Sequence, residues 1–167
     1  LRCAEQPFFS FDDWFIGSTK VPRGVTSETR KLTKQFHYND IESLRRKIIK
    51  FKNKIACVVL EPSSTECPKI YKDDSPCCNK AVCDRNFKKE NHFLKQVEKL
   101  CNKNNIVFIL DEMITGFRWH LKGAQHFYGV KPDISTFGKA MANGFSVSAI
   151  CGKKKIMELG SITNIKQ

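Results

Sequence analysis

The sequence predicts an α/β fold, a mostly parallel sheet with helices on both faces, and three observations carry that prediction. Ile55-Ala56-Cys57-Val58-Val59-Leu60 and Ile106-Val107-Phe108-Ile109-Leu110 are short β-branched runs without polar alternation, the pattern of strands covered on both sides. An amphipathic helical pattern precedes each run, and strands alternating with helices favour parallel pairing, because a parallel connection must cross over the sheet. The 167 residues, 41% hydrophobic and 28% charged, suit one folded domain with its own core and exclude a disordered chain, a collagen-like repeat or a coiled-coil rod.

Taken in order, residues 8–15 are aromatic and acidic, and the Gly, Pro, Ser and Thr of 17–29 read as an irregular surface loop. Asn39 or Asp40 can cap a helix that carries Ile41, Leu44, Ile48 and Ile49 on its apolar face and stops near Asn53. Glu42, three after Asn39, has capping-box spacing. The first buried strand follows and ends at Glu61-Pro62. Residues 63–86, rich in Pro, Cys, Lys and Asp, read as a loop or insertion outside the core. A second helix over about 87–102 sets Phe93, Leu94, Val97, Leu100 and Cys101 at helical spacing. The second buried strand ends at Asp111-Glu112. Residues 133–137 lead into Gly138-Lys139, and 146–151 form a further short apolar strand.

Lys and Arg total 29 against 17 Asp and Glu, a net charge of +12, which raises the question of a nucleic-acid partner. The basic residues are scattered over helix faces and loops, with no zinc-finger or RNA-recognition signature, so no such partner is expected. No apolar run approaches the roughly 18 to 20 residues that span a bilayer, so no membrane partner is expected either. The start, Leu1-Arg2-Cys3-Ala4-Glu5, has neither an initiator Met nor a signal-peptide stretch. The chain reads as a piece of a longer, cytoplasmic protein. Its eight cysteines read as reduced thiols, since a core of this size needs no staples. Cys57, Cys101 and Cys151 lie in apolar patterns as buried small hydrophobes. Cys67, Cys77, Cys78 and Cys83 cluster in a polar stretch, enough thiols for a zinc ion but without the paired spacing of a zinc knuckle, so no metal is expected. His37, His92, His120 and His126 have no metal spacing and read as surface or structural.

Ligands of open α/β sheets bind beyond the carboxyl ends of the strands. Glu61, Asp111 and Lys139 each lie at or just past such an end and can therefore converge. An acid there needs a cationic or hydrogen-bonding partner, because burial disfavours the charged form and each pKa unit is worth about 1.4 kcal/mol. Lys139, among the small residues Gly138, Ala140 and Ala142, is placed to be desolvated, lose its proton and attack a carbonyl to form a Schiff base. A salt bridge at the sheet edge would gather the same residues, so spacing alone leaves both readings open.

The local sequence adds to this. Phe108-Ile109-Leu110-Asp111-Glu112-Met113-Ile114-Thr115-Gly116-Phe117-Arg118, then Gly123-Ala124-Gln125, Tyr128-Gly129-Val130-Lys131-Pro132-Asp133 and Phe137-Gly138-Lys139-Ala140-Met141-Ala142-Asn143-Gly144 closely resemble the signature of class III pyridoxal-phosphate aminotransferases. The resemblance is to the branch of glutamate-1-semialdehyde aminomutase and its aminotransferase relatives, and it extends more weakly from 8–15 through Glu61-Pro62 to Gly160. It implies that 1–167 is a partial cofactor-binding domain, the central part of a fold-type I large domain, with a Cys-bearing insertion at about 63–86. The implied cofactor is pyridoxal 5'-phosphate. By the same resemblance Lys139 matches the lysine that holds the cofactor and shuttles the substrate proton. Asp111 matches the carboxylate that keeps the pyridine nitrogen protonated, so that the ring is an electron sink. Met113 matches the residue against one face of the ring and Phe8 the aromatic on the other. Glu61 matches a position that can orient substrate or an arginine; Thr115 and Gln125 are weaker candidates.

The implied activity is transamination between an amino donor and an aldehyde or ketone acceptor, in a homodimer. A 2,1-aminomutase of the glutamate-1-semialdehyde type is the alternative within the family, and an inactive fragment acting as a basic or zinc-binding module is the alternative outside it. The chain departs from the family in carrying Phe8-Phe9-Ser10 where an aromatic-His-Gly is usual. The resemblance also sets the phosphate-cradling loop before Leu1, and a threonine from the neighbouring subunit and the small domain after Gln167. A phosphate dianion needs several oriented donors, so the chain alone is expected to hold the cofactor poorly.

Overall fold

The two β-branched runs stand side by side, with Cys57 opposite Val107 through to Leu60 opposite Leu110, in the computed structural model, which describes residues 1–6, 12–63, 66–71, 88–89 and 91–160. Among the described residues six strands form one sheet: β1 (Arg2–Cys3), β2 (Gln35–Phe36), β3 (Cys57–Leu60), β4 (Val107–Asp111), β5 (Ile134–Phe137) and β6 (Ala149–Gly152). Their order is β2-β1-β3-β4-β5-β6. The first five are parallel, and β6 pairs antiparallel on β5. Around them lie α1 (Asp13–Ile16), α2 (Ser27–Lys31), α3 (Ile41–Lys50), α4 (Phe93–Lys103), α5 (Gly123–Tyr128) and α6 (Lys154–Met157). No helix among the described residues is long and apolar enough to cross a membrane.

Helical spacing explains the core. Phe93, Leu94, Val97 and Cys101 of α4 share one stripe and are fully buried, as is Leu44 of α3. They pack on Cys3, Phe36, Val58, Leu60, Phe108 and Leu110 from the sheet, and Ala124 and Tyr128 of α5 close the same layer. On the opposite face Arg2 and Gln35 both hydrogen-bond Ser18, which brings the segment bearing α1 and α2 against β1 and β2. Helices therefore lie on both sides, but coverage is unequal. Burial alternates along β3 and β4, and Cys57, Val59, Val107 and Ile109 are only half-buried, where continuous apolar runs had suggested burial on both sides.

Several expectations are corrected. Ile49 is 69% exposed, because it sits about 100° round the helix from Ile48, off the buried stripe. Asp40 caps α3, accepting from Ser43 N–H at 2.8 Å. Asn39 has φ 60° and bonds instead to Lys69 N–H and Cys67 C=O, so no capping box forms, and Glu42 pairs with Arg45. The loop over 17–29 gives way to α2, capped by Thr26. The stretch 63–86 is not wholly outside the core: Ser63, Pro68 and Ile70 are buried, and Ile70 bridges to His92. The second helix begins at Phe93 rather than near 87; Phe87 lies outside the described residues. Cys151 is exposed on the edge strand β6, and Cys57 is half-buried. The two-residue strands β1 and β2 are too short to show a period in the sequence.

Candidate active site

The order of the first five strands, 2-1-3-4-5, places a switch point between β1 and β3, and ligand crevices form beyond the carboxyl ends of such sheets. Leu60 pairs with Leu110 and Asp111 with Thr136. Glu61, Asp111 and Thr136 thus come to one level on three neighbouring strands. Asp111 is half-buried, and its Oδ1 accepts from the Thr136 hydroxyl at 2.9 Å and from Met113 N–H at 3.0 Å. Its partners among the described residues are hydrogen-bond donors rather than a cation. Among the described residues no ion pair joins Asp111 to Lys139, so the arrangement is not a salt bridge at a sheet edge.

Lys139 follows β5 and opens a 3₁₀ turn, Lys139–Met141. It is exposed rather than desolvated. It lines a cleft of about 570 Å³ with Arg118, Ala140, Asn143 and Gly144. Three non-glycine residues near this cleft are left-handed: Phe117 at φ 62°, Lys139 at 46° and Asn143 at 46°. Such conformations cost on the order of 1 kcal/mol each and collect at functional sites. Met113 reaches the same place, since a Cβ on Gly138 would lie 2.8 Å from Met113 Sδ. The bare glycine lets the thioether lie on the backbone beside Lys139.

Glu61 is 5% exposed. Gln6, just beyond β1, holds its backbone from both sides: Glu61 N–H donates to Gln6 Oε1 at 2.8 Å, and Gln6 Nε2 donates to Glu61 C=O at 2.9 Å. Glu61 Oε2 is buried and has no hydrogen-bond partner among the described residues. Burial first, and then the negative charge of Asp111, push the Glu61 carboxyl up to about 7, while Lys139 pulls it down. Asp111 and Lys139, the other two charged groups read from the sequence, are thus both within electrostatic reach of Glu61. Phe8 lies outside the described residues.

Thr115 and Gln125 gather elsewhere. Both serve the buried Glu112, which accepts from the Thr115 hydroxyl at 3.3 Å, Gln125 N–H at 3.0 Å and Ala124 N–H. Gln125 Nε2 also donates to Ser135 Oγ at 3.3 Å. They anchor the start of α5 rather than face the cleft. His37 pairs with Glu5, and His92 is buried against Tyr128 C=O. Cys67 is half-buried, whereas Cys77, Cys78 and Cys83 lie outside the described residues. Among the described residues no His, Cys, Asp or Glu cluster could hold a metal ion. Sequence reasoning missed Gln6, Thr136 and Arg118 as site residues. Thr136 left a signal in its place in the strand just before Gly138-Lys139, and Arg118 in closing the motif that begins at Phe108.

The donor set fits the ring of pyridoxal phosphate: an amine at Lys139, a carboxylate at Asp111 with one oxygen held by two donors, an apolar wall at Met113 and, at Glu61, a buried carboxyl oxygen without a partner among the described residues. The family described as Aminotransferase class-III matches residues 86–164. A glutamate-1-semialdehyde 2,1-aminomutase of Francisella philomiragia subsp. philomiragia is 37% identical over 143 residues, which is 86% of this chain and 29% of the relative. The chain thus spans under a third of that relative's length. An omega-transaminase from Sphaerobacter thermophilus superposes with a TM-score of 0.71 at 22% identity, over 93% of this chain and 35% of the other. The FumI protein of Sphingopyxis sp. MTA144, solved in its PLP internal aldimine form, gives 0.69 at 23% identity, over 94% and 34%. These likenesses assign the fold, that of the large domain of fold-type I pyridoxal-phosphate aminotransferases.

Proposed function

Because the chain belongs to the class III aminotransferase family, we propose that it is the cofactor-bearing part of a pyridoxal 5'-phosphate enzyme that moves an amino group from an amino donor to an aldehyde or ketone acceptor. The observation that carries the reading is the convergence of Glu61, Asp111, Met113 and Lys139 at one rim of the sheet. When bound, the cofactor supplies an aldehyde that condenses with amines and a ring that accepts electrons when its nitrogen is protonated.

The chain's own residues have separate tasks in this reading. Lys139 would hold the cofactor through its amine and would carry a proton to and from the substrate carbon. Asp111, whose Oδ1 is fixed in place by Thr136 and Met113 N–H, would keep the proton on the ring nitrogen. Met113 would line one side of the ring, and Phe8, which lies outside the described residues, is assigned the other side by the family resemblance alone. Residues 1–167 then form part of the large domain, with the insertion at about 63–86. A homodimer and a cytoplasmic location go with this reading through the family resemblance.

Similarity to glutamate-1-semialdehyde 2,1-aminomutases favours a second reading, in which the amino group moves between neighbouring carbons of one molecule. Turnover of a single amino aldehyde without an external acceptor selects it. The first test is shared by both readings. Pyridoxal phosphate added to the complete protein is expected to give a visible absorption band and a borohydride-fixed adduct on Lys139, and Lys139→Ala is expected to lose both. An unchanged band in that variant removes Lys139 from its role.

A further inference from the structure

We propose that Glu61 is a positioning residue for Asp111: set at the same level of the neighbouring strand, it holds the one proton that the two carboxyls carry and keeps the rim at a single negative charge, that of Asp111. The register is the first support, since the pairing of Leu60 with Leu110 brings Glu61 beside Asp111, and like charges on adjacent strand positions repel. Burial is the second. Two carboxylates in a poorly solvated place do not both ionise, and the proton stays on the one with fewer donors. Asp111 has two donors on Oδ1, whereas the buried Oε2 of Glu61 has none among the described residues.

The surroundings keep this assignment from relaxing away. Gln6 grips the Glu61 backbone in both directions, and the following Pro62 has no N–H to offer. The charged groups that act on Glu61 are Asp111 from β4, which raises its carboxyl, and Lys139 from the turn after β5, which lowers it; burial is the largest influence. As a neutral acid Glu61 is a hydrogen-bond donor and not an anchor for a cationic substrate group or an arginine. Its ionisation would set a second negative charge near Lys139.

The proton assignment stands on the ligand-free chain; only its use rests on the cofactor reading above. The first measurement is thermal unfolding of the ligand-free protein from pH 5 to 8.5, for wild type, Glu61→Gln and Asp111→Asn. A carboxyl raised in the folded state contributes stability that is fully present below its unfolded value and is lost as pH rises through about 7. The unfolding temperature of wild type is expected to fall across this window relative to Glu61→Gln, and Asp111→Asn is expected to move the midpoint of that fall to lower pH. Superimposable profiles for wild type and Glu61→Gln overturn the proposal. So does an unmoved midpoint in Asp111→Asn, which still reads if Glu61→Gln fails to fold. The second measurement uses pyridoxal phosphate as the probe, with binding followed by tryptophan fluorescence at pH 6. Glu61→Gln, which keeps a donor, is expected to bind within about 2-fold of wild type, and Glu61→Ala about 10-fold more weakly, the worth of one hydrogen bond. Equal losses in both variants overturn the positioning role. If the unfolding profiles behave as expected and no protein takes up the probe, the shared proton stands and the cofactor reading falls.

Discussion

A carboxylate without solvent contact stands only where donors replace the lost water, and Glu112 meets that condition with Ala124 N–H, Gln125 N–H and the Thr115 hydroxyl. Burial still pushes its carboxyl above the usual range, against the pull of those donors. The carboxylate occupies the space over Gly123, where a Cβ would lie 2.6 Å from Oε1 on a backbone at φ +77°. Gly123→Ala is therefore expected to cost about 2 to 3 kcal/mol, seen as a lower denaturant midpoint at unchanged slope. Asp111 contrasts with it. Asp111→Asn keeps an oxygen for Thr136 and Met113 but removes the charge, so the fold is expected to persist while turnover falls on the order of 10²-fold. Undiminished turnover in that variant removes Asp111 from the site.

Between elements, the decisive junction is β5 with the turn that follows it. Gly138 has an extended backbone, so its lack of a side chain serves space rather than conformation: it leaves room for Met113. Gly138→Ala is expected to push Met113 off the backbone beside Lys139, weakening pyridoxal phosphate binding about 10-fold with a stability loss of roughly 1 to 3 kcal/mol. Equal affinity in the two proteins, measured by equilibrium titration, detaches Met113 from the ring wall. A second junction lies at Asp133, whose Oδ2 accepts from Phe108 N–H at 2.7 Å and whose Oδ1 meets Lys153 Nζ at 2.6 Å. One side chain thus joins the start of β4 to the end of β6, holding the antiparallel edge strand to the parallel sheet and with it the loop 139–148 that borders the cleft.

For the whole molecule, a net charge of +12 means that the compact state repels itself, and salt screens that repulsion. Raising sodium chloride from about 0.05 to about 0.5 M is expected to raise the unfolding temperature by a few degrees, and a fall would mean that attractive pairs outweigh the repulsion. Much of the fold was legible. The runs at 55–60 and 106–110, the stripe of α4 and the acids at the strand ends are patterns of consecutive residues, because hydropathy and periodicity act within one element. So was the Lys139 turn, through its motif. The errors share one physical origin: Ile49, Ile70 and Cys151 were judged by their sequence neighbours, while their burial depends on what packs against them from afar. The chain order alone determined the alternating α/β architecture and which residue types stand at the strand ends. Only the tertiary structure decided that Glu61 stands beside Asp111, that Thr136 braces Asp111 from 25 positions away and that Gln6 clamps Glu61 across 55, because strand neighbours are chosen by how the sheet assembles and no local pattern encodes that choice.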